Sequence, residues 1–287
     1  MNAESVKARL KNIAVKDGGT MQDKLVTYAL ERSIYRLSVS KYVDRFTLKG
    51  GIFLYALFDK HFARATRDID LLADRIPNDV EKMYKVFQDV FSIDSLNVYS
   101  ITEFKEYHGV NVSINAYLNR TRIPVSIDIG FGDVVYPDRI EMDFPVILDM
   151  DEPRIFAYSV YSVISEKFEA FVSLGLINGR YKDFYDIYIL ANRFDLSGSE
   201  LQKAVQETFS HRNTSFDDIV VFEDDFVNYY TRINRWKSFI KKKKEIESVS
   251  FNDAIAIVKS VLIPIVDAIK LGLVFDKNWS FEEKKWK

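Results

Sequence analysis

Two carboxylates, Asp68 and Asp70, are separated by a single isoleucine in a short apolar segment of the sequence. Alternate residues of a β-strand project from the same face, so the two side chains are expected to point in the same direction. Paired carboxylates suit Mg²⁺, which takes few protein ligands and completes its coordination with substrate phosphates and water. The pattern therefore indicates metal-assisted chemistry at a phosphate group, although capping or salt-bridging carboxylates at a strand end would look the same.

Two consecutive glycines, Gly50 and Gly51, precede this pair. Glycine allows a tight turn in which backbone N–H groups at the start of a helix approach a phosphate closely. An ordinary strand-to-helix turn uses glycine in the same way, so it is the downstream carboxylates that favour phosphate contact here. Lys49 is a candidate for either a phosphate contact or a solvent-exposed position. Together these residues are what a metal-dependent nucleotidyl-transfer site needs.

Further polar residues lie near the carboxylates or follow them in the sequence. Thr66 could donate a hydrogen bond to a phosphate, and Arg64 and Arg67 could pair with phosphates or balance the acidic residues. Surface arginines form such pairs in many proteins without any catalytic role. Asp128 lies in an alternating segment, where a carboxylate is costly to bury unless it is paired or bound to metal. Asp133 is interpreted as a turn residue.

A second group of charged residues lies in segments with helical periodicity. Lys167 stands among apolar residues, where a solvent-facing lysine is the ordinary interpretation. Asp183 and Asp186 are three residues apart, so on a helix they lie close together and repel each other unless a cation offsets them. Capping of the helix by Asp183, or pairing of Asp186 with an arginine, would explain them without function. Arg180 and Lys182 are candidates for nucleotide contact.

Together, these stretches resemble the AbiEii/AbiGii toxin family, to which the MenT toxins belong, within the DNA polymerase β-type nucleotidyltransferase superfamily. The resemblance extends over roughly residues 5–195, and three segments carry it in the expected order. They are MQDKLVTYALERSIYRLS at 21–38, FTLKGGIFLYALFDKHFARATRDIDLLA at 46–73, and the stretch 166–189, with its Glu166-Lys167 pair and its Arg180-Tyr-Lys182-Asp183-Phe-Tyr-Asp186-Ile motif.

The resemblance implies a nucleotidyltransferase toxin of a toxin–antitoxin or phage-defence system. Such a protein would join a nucleotide from an NTP to an acceptor hydroxyl, with RNA, in particular the 3′ end of tRNA, as the expected acceptor and Mg²⁺ as the expected metal. A cognate antitoxin is implied as a partner, with or without direct contact. The alternatives are a nucleotide-binding regulatory protein without turnover, or a kinase-like or protein-modifying transferase.

The resemblance also implies roles for individual residues. Asp68 and Asp70 would hold the metal, and Asp128 would assist the metal and accept the proton of the attacking hydroxyl. Lys167 would contact the triphosphate as a compact positive charge, oriented by Glu166. The expected catalytic residues are Asp68, Asp70, Asp128, Lys167 and Asp183, and the expected nucleotide contacts are Lys49, Gly50, Gly51, Thr66, Arg67, Lys167, Lys182 and Asp186.

The composition indicates a soluble protein with a large core and excludes several classes of site. The 287 residues are 47% hydrophobic with a formal net charge of −2, so the overall charge does not predict a nucleic-acid binder. The lack of cysteine excludes disulfides and cysteine-containing zinc sites, and His61, His108 and His211 have no metal-ligand spacing. No uncharged apolar stretch of ~18 residues occurs, so we expect no membrane span and a cytoplasmic location.

The resemblance and the apolar periodicity together predict an α+β fold: a nucleotidyltransferase-like mixed sheet with helices over residues 1–152, then an all-helical domain over 153–287. In the first domain, helices are predicted at 21–38, 52–60 and 77–92, and strands at 68–72, 97–103, 108–118 and 122–130, with a hairpin turn at Asn119–Arg120. In the second domain, helices are predicted at 157–175, 183–193, 198–210, 223–246 and 251–272.

A basic segment lies in the second predicted domain. It consists of Arg232, Arg235, Lys237 and Lys241–Lys244, with Tyr229, Tyr230 and Trp236 nearby. RNA phosphates could bind the cations while bases stack on the aromatic rings. The solvated face of a helix is the more usual explanation of such a run, and Glu245 and Glu247 weaken the positive charge.

Overall fold

The chain folds into two compact units. The computed structural model describes residues 2–59, 66–92, 98–106, 109–217, 219–241 and 248–287. The first unit is formed by Met1–Asp133 and Arg139–Tyr158, and the second by Val134–Asp138 and Ser159–Lys287. The expected fold class is confirmed, since a mixed α/β part precedes a mainly helical one. The domain boundary predicted between residues 152 and 153 stays a prediction.

The first unit contains a mixed sheet of seven strands, counted over the described residues, with helices against it. Its elements are α1 (Ala3–Asp17), α2 (Met21–Ser38), β1 (Phe46–Lys49), α3 (Gly50–Leu57), β2 (Asp68–Ala73), α4 (Val80–Phe91), β3 (Val98–Glu106), β4 (Val110–Leu118), β5 (Thr121–Phe131), β6 (Ile140–Asp143) and β7 (Arg154–Ala157). The strand order is β3-β4-β5-β2-β1-β7-β6, in which β2–β5 and β1–β7 pair in parallel and the other pairs are antiparallel.

The helices of the first unit begin at side-chain caps that the sequence supplies. At α2, the Thr20 side chain accepts a hydrogen bond from the backbone N–H of Asp23, and at α4 Asp79 accepts one from Lys82. The apolar residues of α2 are buried at the predicted helical spacing, and α2 and α3 pack against the central strands β5 and β2. Helix α2 spans the predicted range 21–38, and α3 begins and ends within three residues of the predicted range 52–60.

Strands β4 and β5 form the hairpin that their alternating sequence predicts. Asn119 adopts a positive φ of 54° in the turn, a conformation that asparagine tolerates better than most residues. Buried and half-buried residues alternate along β4, so one face of the hairpin packs in the core while the other carries polar side chains. This polar face continues across the neighbouring strands and holds the candidate residues.

The second unit is mainly helical. Its elements are α5 (Val160–Leu174), α6 (Tyr181–Ala191), β8 (Leu196–Ser197), α7 (Gly198–His211), α8 (Asp224–Val227), α9 (Tyr230–Lys241), α10 (Phe251–Lys270), β9 (Asn278–Ser280) and β10 (Lys285–Trp286). The three short strands form a small sheet that the sequence reading did not predict. None of the helices in the described ranges is both long and apolar enough to cross a membrane.

The segment predicted as one helix over 223–246 forms two helices in its described part. Helix α8 ends at Val227, and α9 begins at Tyr230 after a turn. The turn places the guanidinium of Arg232 over the ring of Phe226, 3.8 Å from its centroid. Trp236 of α9 is buried and donates a hydrogen bond from its indole nitrogen to the carbonyl of Val249, at 2.8 Å. Residues 242–247 lie outside the described part of the chain.

Candidate functional site

Four polar residues form a row across the sheet of the first unit. Lys49 of β1 is the cross-strand partner of Asp70 in β2, Asp70 is the partner of Asp128 in β5, and Asp128 is the partner of Asn111 in β4. Cross-strand partners project from the same face, so the row lies on one side of the sheet. Asp68 belongs to the same face, because it lies two residues before Asp70.

The carboxylates of this row lie at the boundary between core and solvent. Asp68 is exposed, whereas Asp70 and Asp128 are half-buried. Their neighbours along the strands, among them Ile69 and Ile127, are buried on the opposite face. The structure therefore brings the three predicted carboxylates to one side of two adjacent parallel strands, accessible to a ligand from the polar face.

Gly50 lies directly against Asp70. It adopts a φ of +67°, and a Cβ built on it would stand 1.9 Å from Oδ2 of Asp70 and 2.5 Å from its Cγ. A side chain at position 50 would therefore clash with the carboxylate as well as strain the backbone. Gly51 follows in the first turn of α3 and is buried. Gly50, which is predicted to face phosphate, thus also makes room for Asp70, a predicted metal ligand.

Lys49 is held by an ion pair rather than extended into solvent. Its Nζ lies 2.7 Å from Oδ2 of Asp133 and 3.3 Å from the hydroxyl of Tyr158. The ammonium also lies 5.2 Å from the centroid of the Tyr158 ring. Asp133, interpreted from sequence as a turn residue, therefore positions Lys49, and no local pattern could reveal a pair separated by 84 residues.

Asn111 is a polar residue of the site that the sequence reading missed. Its side-chain nitrogen donates to Oδ1 of Asp128 at 2.6 Å and to the hydroxyl of Ser126 at 2.8 Å. Its side-chain oxygen accepts from the hydroxyl of Ser113 at 3.2 Å. The alternation in the predicted strand 108–118 was the available signal, since it places Asn111 and Ser113 on one face.

The carboxylate oxygens of the polar face are of the type that binds Mg²⁺. Their number is sufficient if the phosphates of a nucleotide and water supply the remaining ligands. Carboxylate oxygens are the preferred protein ligands of Mg²⁺, and one or two carboxylates suffice where phosphates and water supply the rest. Asp70 and Asp128 are direct cross-strand partners, which places two such groups side by side. No cluster of three or more His, Cys, Asp or Glu side chains that could hold a metal by protein ligands alone occurs in the described ranges. His61 and His108 lie outside those ranges.

The residues just before β2 make only weak contacts. The hydroxyl of Thr66 lies 3.4 Å from the backbone carbonyl of Asp68. Arg67 is 74% exposed at its side chain and lies 3.8 Å from Asp23, a distance at which an exposed pair contributes little. Arg64 lies outside the described residues. Both described residues are therefore accessible on the surface near Asp68.

The second unit gathers the charged residues of the later motif around Lys167. The Lys167 ammonium on α5 lies 2.7 Å from Oδ1 of Asp183 and 2.8 Å from Oδ2 of Asp186, both on α6. Both aspartates are fully buried, and Arg180 approaches Oδ2 of Asp183 at 2.5 Å. The cations that offset the two like charges are thus Lys167 and Arg180.

The pKa of Asp183 reflects this surrounding. Burial opposes ionisation and would raise the pKa, but the charges of Lys167, Arg180 and Lys182 and the Lys167 hydrogen bond outweigh it and hold the pKa below its usual range. The proposed capping role does not occur, because Arg180 occupies the N-cap position of α6 without a side-chain hydrogen bond. Lys182 is exposed. Asp183 is therefore ionised at neutral pH.

Glu166 lies beside an arginine of the second unit. It lies 3.6 Å from Arg212, which directly follows α7, and the guanidinium of Arg212 donates to the buried Glu169 at 2.6 Å. Glu169 also accepts a hydrogen bond from the hydroxyl of Thr214 at 2.6 Å. This network ties α5 to the end of α7, which gives Glu166 a structural contact.

Helix α9 presents part of the basic segment to solvent. Arg235, Lys237 and Lys241 are exposed. Arg232 instead donates hydrogen bonds to the carbonyls of Leu176 and Asn178, so its charge serves the fold. Lys242–Lys244 lie outside the described residues.

This chain is similar to known proteins in its sequence pattern and in its fold. The family model described as "Nucleotidyl transferase AbiEii toxin, Type IV TA system" matches residues 32–257. Among solved structures, the chain is similar to MenT4, nucleotidyltransferase toxin Rv2826c from Mycobacterium tuberculosis H37Rv, with 14% identity, a TM-score of 0.62 and coverage of 91% of this chain and 89% of that chain. JHP933 from Helicobacter pylori is also similar, with 13% identity, a TM-score of 0.48 and coverage of 86% and 94%. The sequence matches no curated protein.

Proposed function

Because the chain belongs to the AbiEii family of nucleotidyltransferase toxins from type IV toxin–antitoxin systems, we propose that it transfers a nucleoside monophosphate from an NTP to a hydroxyl of RNA. The proposed acceptor is the 3′ end of tRNA, and the proposed metal is Mg²⁺. Membership of the family implies an NTP substrate and a cognate antitoxin. We propose that the antitoxin acts with or without direct contact to this chain.

The proposed reaction is a displacement at the α-phosphorus. The acceptor hydroxyl oxygen forms a bond to this phosphorus, the bond to the oxygen that bridges the α- and β-phosphates breaks, and pyrophosphate leaves. The hydroxyl proton passes to the carboxylate of Asp128. Asp68 and Asp70 would hold Mg²⁺, which would supply positive charge to offset the negative charge that develops on the phosphates.

The register of β2 against β5 is the observation that carries this proposal. It sets Asp70 beside Asp128, with Asp68 on the same accessible face. Two half-buried carboxylates side by side repel each other, and a bound cation would offset this repulsion. A protein that merely bound a nucleotide would need no third carboxylate as a proton acceptor. The arrangement therefore favours turnover over regulatory binding.

The family resemblance supplies further proposed contacts, which are given for each unit by itself. On the first unit they are Lys49, Gly50, Gly51, Thr66 and Arg67, which would bind the nucleotide. On the second unit they are Lys167 and Asp183, with proposed catalytic roles, and Lys182 and Asp186 as nucleotide contacts. Backbone N–H groups at the start of α3 are suited to phosphate because of their orientation and partial positive charge.

To test the proposal, the wild type and two variants are each incubated with total tRNA, Mg²⁺ and one α-³²P-labelled NTP at a time. The radiolabel transferred to the tRNA is then measured. Asp70→Asn keeps the shape beside Gly50 but removes the charge, and it should abolish labelling and pyrophosphate release. Asp79→Asn is the matched control, because asparagine also caps a helix and the residue lies apart from the row. Labelling by Asp70→Asn at the wild-type rate, or labelling that persists in EDTA, would contradict the metal role. No labelling of RNA by the wild type would contradict the proposed acceptor.

A further inference from the structure

We propose that Asn111 is a positioning residue for Asp128: it holds one carboxylate oxygen, Oδ1, so that the other, Oδ2, accepts the proton from the acceptor hydroxyl. The inference rests on the proposed function, because the proton acceptor is defined only for a transfer reaction. Asn111 itself touches neither the substrate nor the reacting atoms in this proposal, and it acts only through Asp128.

The hydrogen bonds of Asn111 define a single orientation of its amide group. One nitrogen carries two hydrogens, and its two acceptors are Oδ1 of Asp128 at 2.6 Å and the hydroxyl of Ser126 at 2.8 Å. The amide oxygen accepts from Ser113 at 3.2 Å. A flipped amide would place its oxygen against the carboxylate and lose these bonds. Asn111 is therefore a fixed donor to Asp128.

The bond selects between the two oxygens of Asp128. Within the described residues, Oδ1 accepts the bond from Asn111, and no side chain or backbone group donates to Oδ2. A donor on one oxygen fixes the rotation of the carboxylate plane while leaving the lone pairs of the other oxygen available. Precise placement of a reacting group has a large effect on rate, since a displacement of about 1 Å can cost on the order of 100-fold.

Neighbouring strands supply every part of this arrangement. Asn111 and Asp128 are cross-strand partners in the hairpin of β4 and β5, and Ser113 and Ser126 are partners two residues along it. Residues of a hairpin are held in register by the backbone hydrogen bonds on either side. The donor therefore sits on a rigid element, as a residue that must hold another within a fraction of an ångström requires.

The experiment compares Asn111→Leu, which keeps the size and removes the donor, with Asn115→Leu. Asn115 lies on the same strand and the same face and is half-buried too, so it controls for an apolar residue on the polar surface. Label transfer to tRNA is measured at varied NTP concentration, and the midpoint of thermal unfolding is measured for each protein. We expect Asn111→Leu to lower kcat by about 10- to 100-fold, with KM for the NTP unchanged. Asn115→Leu should keep the wild-type kcat.

A second measurement is independent of turnover. In protein labelled with ¹⁵N at asparagine, the side-chain amide signal of Asn111 should move when Asp128 is replaced by alanine, while that of Asn115 stays in place. Wild-type kcat in Asn111→Leu, equal losses in both leucine variants, or an Asn111 signal insensitive to Asp128→Ala would each overturn the inference. Absence of transfer by the wild type, with the expected change of the amide signal, would contradict the proposed function while supporting the contact.

Discussion

The backbone of Gly50 and the carboxylate of Asp70 occupy adjoining space that no side chain could share. A Cβ on Gly50 would stand 1.9 Å from Oδ2 of Asp70, and the residue adopts a φ of +67°. Two independent constraints, contact and backbone conformation, therefore require glycine at this position. The strand-to-helix turn holds the proposed metal ligand in place as well as presenting N–H groups at the start of α3.

The first prediction concerns Gly50→Ala. The left-handed conformation should cost about 1–2 kcal/mol of folding free energy, and the clash should displace Asp70 and reduce label transfer by about 100-fold or more. Gly18→Ala is the matched control, because Gly18 has nearly the same φ of +65° with nothing within 4 Å of its Cβ position. Urea unfolding should show the backbone strain in both variants and a further loss of stability from the clash in Gly50→Ala, and transfer should be lost only in Gly50→Ala. Equal activity of the two would contradict the role of the close contact.

Two of the elements that the sequence predicted, α2 and the β4–β5 hairpin, have a long, clear period. Helix α2 has its apolar residues at helical spacing and a Thr20 cap, and the β4–β5 hairpin alternates on either side of Asn119. Strand β1 was missed because it has four residues, of which the first three are all buried, so no alternation marks it. The short strands of the small sheet carry too few residues for any period.

The residues of the candidate site likewise include some whose arrangement follows from a local sequence pattern and others whose arrangement does not. The shared face of Asp68 and Asp70 follows from local alternation, which the sequence contains. The pairs Lys49–Asp133 and Asn111–Asp128 depend on which strands are neighbours and in which register, and periodicity carries no such information. The sequence therefore indicates the shared face of Asp68 and Asp70 but not the Lys49–Asp133 and Asn111–Asp128 pairs.

The second prediction concerns the acid stability that Asp183 provides. The pKa of the Asp183 carboxyl is lower in the folded protein than in the unfolded chain, where the pKa of aspartate is about 3.9. Its ionised form therefore contributes its full stability when the pH is above this unfolded pKa. The contribution is lost as the pH falls through the folded pKa. Asp183→Asn should therefore be less stable than the wild type near neutrality, and the difference should narrow below pH ~4. Urea unfolding at a series of pH values measures this. Asp276→Asn, at an exposed position, should follow the wild type throughout.

The third prediction concerns RNA binding by α9. Replacing the exposed Arg235, Lys237 and Lys241 with alanine should weaken tRNA binding and reduce the slope of log affinity against log salt by about 2, since each phosphate contact on single-stranded RNA contributes roughly 0.7. Filter binding at several salt concentrations measures both quantities. The triple alanine variant of the exposed Arg9, Lys11 and Lys16 on α1 removes the same charge elsewhere. Equal losses in the two variants would show a nonspecific charge effect and contradict the prediction.

The fourth prediction separates two roles of Lys167. Its ammonium is the partner of two fully buried carboxylates, so Lys167→Met should destabilise the protein by about 3–5 kcal/mol. Adding Asp186→Asn should restore much of this stability, because it removes one of the two buried negative charges while Asp183 keeps its pair with Arg180. Thermal unfolding of the single and double variants measures the recovery.

Activity of the stable double variant then decides whether Lys167 also binds phosphate. If Lys167 contacts the triphosphate, the double variant should be folded yet have a KM for the NTP raised by about tenfold or more, as expected for the loss of a charged contact worth about 1.5–3 kcal/mol. The single variant Asp186→Asn is measured beside it, because Asp186 is itself a proposed nucleotide contact. If the double variant has the same KM for the NTP as the single variant Asp186→Asn, Lys167 serves only to neutralise buried carboxylates. Its place in the motif would then reflect the packing of α5 against α6.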